Sequence, residues 1–384
     1  MSRPSQASRL SLVCIHRFFQ KLPEPRRRRK KVRHPLLNLV VMSLCATIAG
    51  ADDWQEIAEF ARQRRQWFGK FLDLSKGVPS HDTFQRVISA LDPLAFQKCL
   101  LAWVATLHEV TQGQIIAIDG KVAKEAMARA TDKGPLCLVS AWATANQVVL
   151  GQVAASSGSN ELGALPRLLE LLELHGAIVT LDALGCQKEI VSQIAEHGAD
   201  YVISVKGNQE KLQDTVQQAF AQALEAGLKP SLVKNEKRRG RQEQRMYTVL
   251  EAPDFAQKNQ WKNLKSFLMV VREYEEKDGS RCQGVRYYIS SLPPKVKKLA
   301  EAVRRHWHIE NKMGWVLDVA FNEDGNRART RNAQANLGML RRTALSLLKN
   351  AKELTCSIKK RRKQAGWNPE VLEKILLGCN SGKN

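Results

Sequence analysis

Three acidic residues stand where carboxylates could hold metal ions. Asp119 and Asp182 each follow a short apolar run, and Glu310 lies within a helical apolar pattern. Burying a carboxylate costs free energy unless a cation or a hydrogen-bond donor compensates it. Mg²⁺ prefers oxygen ligands, and two ions about 3.5–4 Å apart can hold both the attacking and the leaving oxygen of a phosphodiester. The three acids therefore predict a site with two Mg²⁺ ions, or Mn²⁺ in their place, that needs no protein nucleophile.

The spacing around Glu310 favours this residue as the third ligand. Val303, Glu310 and Leu317 are seven residues apart, so they share one stripe of a helix, and Glu310 is its acidic interruption. We therefore expect Glu310 to complete the metal site rather than to form a solvated ion pair. Three further acids would support the site or pair with Arg327 and Arg329; they are Asp318, Glu323 and Asp324.

The charge distribution indicates a polyanionic partner. The net charge is +22, and residues 1–36 hold eleven Lys and Arg against one acid, while residues 325–384 hold fourteen against three. Such basic ends are typical of phosphate-binding surfaces, although a solubilising charge run explains the segment 26–31 equally well. Polar residues beside strand ends or near Glu310 are expected to contact phosphates or bases of DNA: Lys121, Lys206, Asn208, His306, Arg327, Arg329 and Arg331.

The period of the apolar residues predicts the elements that position the two aspartates. From residue 114 the order is β-β-β-α-β-α-β, in which strands one, four and five run parallel. This is the order of a ribonuclease-H-like mixed sheet. Both aspartates would emerge at the same end of the sheet, where Gly120 and Gly185 allow the backbone to turn. Either aspartate taken alone would more simply cap the next turn.

Helices are predicted before this sheet and a β-rich segment after it. Residues 35–108 have a helical period, with Pro35 at a helix start and Ser80 or Asp82 as a cap. This helical domain would bind DNA or serve packing and dimerisation. Residues of about 230–295 are expected to be β-rich, and a long helix from about Pro294 carries Glu310.

The composition argues against a membrane protein. The apolar run 36–48 is too short to span a bilayer, and the N-terminal segment lacks a signal-peptide pattern. Cys45, Cys99 and Cys137 lie in apolar surroundings and are expected to be reduced core residues. A soluble cytoplasmic protein is the resulting expectation.

The motifs resemble the H-repeat-associated, ISAs-type transposases of bacterial insertion sequences, which are similar to other DDE transposases. The matching pieces span about residues 34–349 and include PSHDTFQRVISALDP, IIAIDGK, NELGALP, IVTLDALGCQKEI, DYVISVKGNQ, HWHIEN and NLGMLRRTALSLLK. The resemblance implies that Asp119, Asp182 and Glu310 are catalytic and bind metal. It implies cleavage of double-stranded DNA at element ends and joining to target DNA, by a homodimer in the bacterial cytoplasm that associates with the nucleoid when it is bound to DNA. The implied domains are a basic segment 1–33, a helical transposase-associated domain 34–110, a catalytic domain 111–350 with an insertion at about 228–295, and a basic tail 351–384.

Several positions depart from the family's pattern. Residues 122–125 read Val-Ala-Lys-Glu after IDGK, and His306 and Leu317 stand where related transposases have Arg and Lys. The departures leave an alternative open, a catalytically silent DNA-binding protein that descends from a transposase. A nuclease that cuts without joining is a third hypothesis.

Overall fold

The chain, seen in a computed structural model, divides into two compact units. The structure describes residues 15–27, 32–107, 114–122, 136–155, 161–238, 241–275, 280–326, 328 and 330–377. Unit 1 comprises residues 1–110, 120–160 and 310–384, and unit 2 comprises residues 111–119 and 161–309. Among the described residues, no single helix is long and apolar enough to cross a bilayer. A pair of helices passes by length and composition when taken together, but it is bent by 98°.

The described strands form one mixed sheet. Their spatial order is β3-β2-β1-β4-β5-β9-β8-β7-β6. β1 pairs with β4 and β4 with β5 in parallel, whereas β2–β3 and β5–β9 are antiparallel. The predicted ribonuclease-H-like order and the β-rich insertion are both confirmed. The strands are β1 (Ile115–Val122), β2 (Cys137–Ala143), β3 (Val148–Ala154), β4 (Ile178–Leu181), β5 (Asp200–Val205), β6 (Leu232–Arg238), β7 (Arg241–Glu251), β8 (Ser266–Glu275) and β9 (Arg281–Ser290).

The helices of unit 1 include the predicted N-terminal group. Ser80, not Asp82, caps the fourth helix by accepting a hydrogen bond from the backbone N–H of Thr83. The helices are α1 (Leu36–Ile48), α2 (Trp54–Gln63), α3 (Arg65–Phe68), α4 (His81–Ala90), α5 (Pro93–Ala105), α10 (Trp315–Phe321), α11 (Arg331–Asn350), α12 (Ile358–Trp367) and α13 (Pro369–Leu377).

The core of unit 1 surrounds α11. Every residue from 333 to 348 is buried, because α11 packs against α1, α4, α5 and β3. Hydrogen bonds satisfy several polar side chains that are buried around this helix. Asn336 donates to the Ile88 carbonyl at 2.7 Å, and Gln152 of β3 donates to the Ala335 carbonyl at 2.8 Å. The cysteines predicted to lie in apolar surroundings, Cys45, Cys99 and Cys137, are buried.

The core of unit 2 lies between the sheet and one long helix. The helices of this unit are α6 (Leu165–Glu170), α7 (Lys188–Glu196), α8 (Glu210–Glu225) and α9 (Val296–His308). α9 buries Leu299, Ala302 and Val303 against residues of β1, β4, β5 and the insertion strands, such as Ile178 and Leu268. Burial of this apolar face holds α9 across the strands that carry the two aspartates.

Candidate active site

Asp119 and Asp182 occupy matching positions on neighbouring parallel strands. In the β1–β4 register Ile115 pairs with Ile178 and Ala117 pairs with Thr180. The same offset, continued for two residues beyond the last pair, puts Asp119 level with Asp182. The preceding residues of both strands are buried, whereas Asp119 and Asp182 are partly exposed. Both residues therefore lie two positions past the last paired residues of β1 and β4, at the carboxyl end of the paired segment of each strand.

The backbone after Asp119 differs from the prediction. β1 continues to Val122, so Asp119 lies within the strand, and the turn expected at Gly120 is wrong. The strand continues past the end of its pairing with β4 because β1 has a second neighbour in the sheet, β2. The apolar run 115–118 indicated burial, not the length of the strand.

The loop after β4 fixes the Asp182 carboxylate. Asp182 Oδ1 accepts hydrogen bonds from the backbone N–H groups of Leu184 at 3.0 Å and Gly185 at 3.4 Å. The loop after β5 holds this turn from outside, because the Asn208 amide donates to the Ala183 carbonyl at 2.7 Å. Asp182 thus caps a turn, as the simpler alternative had it, and the same bonds orient the carboxylate.

Gln209, a residue that was not predicted from the sequence, adds a second hydrogen bond from the loop after β5. Its side-chain amide donates to the Cys186 carbonyl at 3.0 Å, next to the contact made by Asn208. The available signal was its position two residues after Gly207 in VKGNQ, at the end of β5. Burial, with a smaller contribution from Asp182, raises the pKa of the Cys186 thiol to about 12. The thiol therefore stays protonated at neutral pH.

His306 of α9 lies against β4. Its Nδ1 is 3.0 Å from the Thr180 hydroxyl, two residues before Asp182. Burial lowers the pKa of His306 to about 4, although Asp182 and Thr180 oppose the shift. The ring is therefore neutral at pH 7, and it can reach a phosphate only as a hydrogen-bond donor. Trp307 beside it packs under the Arg286 guanidinium, whose Cζ is 4.5 Å from the ring centre.

Glu310 lies in unit 1, on a π-helical segment (Ile309–Gly314) between α9 and α10. The prediction that it interrupts a buried stripe is wrong, since Glu310 is exposed and Ile309 and Met313 are buried instead. A π-turn takes more residues than an α-turn, so the helical phase moves by about one position. π-segments within α-helices occur frequently at functional sites.

Lys121 is engaged with acids of unit 1. Its ammonium pairs with Asp318 and lies 3.2 Å from Glu323 and 3.4 Å from Asp324. Burial opposes the charge, but the carboxylates outweigh it and raise the pKa of Lys121. Glu323 also pairs with Arg342 at 2.5 Å. Among the described residues, these acids pair with Lys121 and Arg342. Arg327 and Arg329, the partners predicted from the sequence, fall outside the described residues, so that prediction is untested.

Two more residues were predicted to contact DNA, Lys206 and Arg331. Lys206 is exposed directly after β5, on the same loop as Asn208. Arg331 is the first residue of α11, and its side chain is not among those described.

The donor chemistry at Asp119 and Asp182 fits a hard divalent cation. Two carboxylates side by side at a strand edge repel each other unless a cation lies between them, and Mg²⁺ prefers such oxygen donors. Among the described residues, no group of three or more His, Cys, Asp or Glu side chains is arranged around a common metal position. The metal site and its ligand set therefore stay a prediction.

Comparisons with known proteins agree with this architecture. A family model described as DDE_Tnp_1-associated matches residues 16–104, and one described as Transposase DDE domain matches residues 111–347. The protein named "Putative transposase YncI" in Escherichia coli O157:H7 is 40% identical over 376 residues, which cover 97% of this chain and 96% of the relative. The "H repeat-associated putative transposase YhhI" of Escherichia coli strain K12 is 34% identical over 357 residues, covering 91% and 94%.

One solved structure also resembles the chain. The piggyBac transposase synaptic complex with hairpin DNA has a TM-score of 0.44 at 10% identity, covering 98% of this chain and 84% of that one. This likeness is too low to assign an activity. The two family matches and the near-complete alignments with transposase relatives assign the chain to the transposase DDE-domain family, alongside the H repeat-associated transposases.

Proposed function

We propose that this transposase performs metal-dependent cleavage of DNA at the ends of an insertion sequence and joins the 3′-hydroxyl to target DNA. Asp119, Asp182 and Glu310 are the proposed catalytic ligands of two Mg²⁺ ions. The observation that supports the proposal is the β1–β4 register, whose offset, continued two residues past the paired positions, puts Asp119 level with Asp182 on adjacent parallel strands. Membership of the transposase DDE-domain family supports the assignment of DNA as the substrate.

The residues of the chain would divide the work between orientation and charge. When bound, the metal ions would supply the activation of the attacking hydroxyl and the neutralisation of the departing oxygen. Asp182 is held ready by the N–H groups of Leu184 and Gly185, so it loses little freedom when it binds a cation. Asn208 keeps that turn in place from the β5 loop. Phosphoryl transfer needs mainly such positioning and charge compensation.

The proposed DNA contacts lie around this edge. Lys206 is exposed and free to move toward a phosphate, and His306 can donate a neutral hydrogen bond. The ion pairs of Lys121 suit it better to holding the end of β1 than to binding phosphate. Because an insertion sequence has two ends, we infer that a homodimer in the bacterial nucleoid acts on them together.

Strand transfer on DNA with terminal inverted repeats tests the proposal. Asp119→Asn, Asp182→Asn and Glu310→Gln remove charge and keep size, so each should abolish Mg²⁺-dependent cleavage and joining while DNA affinity persists. The matched controls are Asp214→Asn and Glu225→Gln, two exposed acids of α8 that should leave the products unchanged.

Each outcome has a distinct meaning. Undiminished joining by any of the three catalytic variants would remove that residue from the site. DNA binding by the wild type without any Mg²⁺-dependent product would identify a silent DNA-binding protein. Cleavage without joined product would identify a nuclease.

A further inference from the structure

The C-terminal basic run lies on α12, and the helical repeat places some of its side chains on a buried side and the others on an exposed side. Arg362 is 3% exposed and donates to the Thr47 carbonyl at 2.9 Å and to the Asp52 carboxylate at 2.8 Å. Arg361 donates to the Leu348 carbonyl of α11 at 2.5 Å and to the Cys356 carbonyl at 2.9 Å. These two arginines therefore staple α12 to the rest of unit 1, and they are unavailable as a solvated charge run.

The opposite side of α12 combines positive charge with an exposed aromatic ring. Lys359, Lys360, Lys363 and Trp367 are all exposed, and the helical repeat places them within an arc of about 100°. We call this arc the lysine–tryptophan face. Among the described residues none of its three lysines forms an ion pair within 4.0 Å. Trp367 is 73% exposed, the largest value among the described large hydrophobic side chains that are exposed.

The exposure of Trp367 is built into the packing of unit 1. Arg64 donates to the carbonyl oxygens of Gly366 and Trp367, the latter at 3.2 Å, which fixes the last turn of α12. Gly366 lies so close to α1 that a Cβ atom there would be 2.6 Å from the Ala49 carbonyl oxygen. The backbone is therefore held on its inner side, and the indole of Trp367 projects outward from a fixed position.

An exposed tryptophan beside lysines that form no ion pairs within the described part of the chain suits a partner that offers both phosphates and an unstacked base. Lysines attract phosphates by charge, and an aromatic ring stacks on a base only where that base is unstacked. We propose that the lysine–tryptophan face binds DNA at a distorted or single-stranded stretch, with Lys359, Lys360 and Lys363 on the phosphates and Trp367 stacked on an unpaired base. This surface lies outside the catalytic residues, and its assignment rests on the proposed action on DNA.

Fluorescence anisotropy with the full chain tests the inference without any cleavage chemistry. The probes are a labelled duplex of about 30 bp and the same duplex with a single-stranded gap of about six nucleotides. Changing all three lysines to glutamine should weaken binding to both probes and lower the slope of log K against log salt by about 2–3. Trp367→Ala should weaken binding to the gapped probe selectively, by about 5- to 100-fold, and Trp367→Phe should restore most of it.

Matched controls separate this surface from general charge effects. Lys211, Lys229 and Lys234 are exposed lysines of unit 2, and changing all three to glutamine should leave affinity and salt slope near those of the wild type. Melting curves verify folding, and Lys363→Gln alone serves if the triple variant is unstable. Because binding is measured without metal, failure here leaves the catalytic test with Asp119→Asn unaffected.

Two results would overturn the inference. One is that the two triple-lysine variants have equal affinity and equal salt slope, while Trp367→Ala loses no more affinity for the gapped probe than for the intact duplex. The other is a change of oligomeric state in Trp367→Ala by light scattering without loss of DNA affinity, which would make the face a contact between copies of this chain.

Discussion

The Glu323–Arg342 pair allows a quantitative test of the packing in unit 1. The Arg342 side chain is 0% exposed and that of Glu323 is 7% exposed. Arg342 also donates to the Ser140 hydroxyl at 3.0 Å and to the Gly338 carbonyl at 3.2 Å. Glu323→Gln would leave the buried guanidinium without its counter-charge. Removing one partner of a buried pair costs about 3–5 kcal/mol.

The expected change in melting temperature follows from the size of the unit. Unit 1 has roughly 230 residues, for which 1 kcal/mol shifts Tm by about 2–4 °C. Glu323→Gln should therefore lower Tm by about 6–20 °C in calorimetry. The control is Glu59→Gln. It breaks a pair with Arg62 in which the two side chains are 50% and 56% exposed, so it should leave Tm near that of the wild type.

The stability difference between the wild type and Glu323→Gln should depend on pH, because the pKa of Glu323 is shifted. Burial alone would raise the pKa of Glu323, but Arg342 and Lys121 outweigh it and hold the pKa below 4.5. The advantage of the wild type over Glu323→Gln is therefore fully present above pH 4.5 and is lost as the pH falls through the lowered pKa. A Tm within about 1 °C of the wild type at pH 7 would refute the reasoning, because it would mean that Arg342 finds another partner.

Two further predictions concern His306 and Gly366. Since the pKa of His306 is lowered from 6.5 to about 4, the unfolded chain takes up a proton in this range while the folded ring stays neutral, so the wild type should lose stability relative to His306→Gln as the pH falls from 6.5 to about 4. Melting curves across this range measure the difference, and a constant difference would contradict it. Gly366→Ala should cost about 1–3 kcal/mol, because its Cβ would lie 2.6 Å from the Ala49 carbonyl oxygen. Gly284→Ala, where nothing lies within 4 Å, is the control, and equal Tm losses in the two variants would exclude the contact as the cause.

The apolar pattern was sufficient to predict the strands around the two aspartates. Residues 115–118 and 178–181 are fully buried strand segments, and their parallel pairing follows from the crossover through α6. The matching positions of Asp119 and Asp182 are therefore predictable from the sequence alone. The length of β1 beyond Asp119 could not, because residues 119–122 have no alternating pattern.

The contacts that depend on distant residues were beyond the sequence. Lys121 meets Glu323 across 202 positions, and no local pattern records such a pairing. The exposure of Glu310 depends on a π-segment, which the helical period cannot express. Arg362 lies in a run of five basic residues that is typical of a solvated surface, yet it is buried because carbonyl groups from another part of the chain surround it.

The staple made by Arg362 also affects how the protein is made. Arg362 and Thr47 are 315 residues apart, so the first helices leave the ribosome long before their partner exists. At about 5–20 residues per second, this interval is roughly 15–60 s. During that time the carbonyl groups of the α1 turn and the apolar face of α1, which packs against α11 and α12, lack their final cover. Transiently exposed apolar surface of this kind favours aggregation, and the lysine–tryptophan face is anchored only after α12 docks.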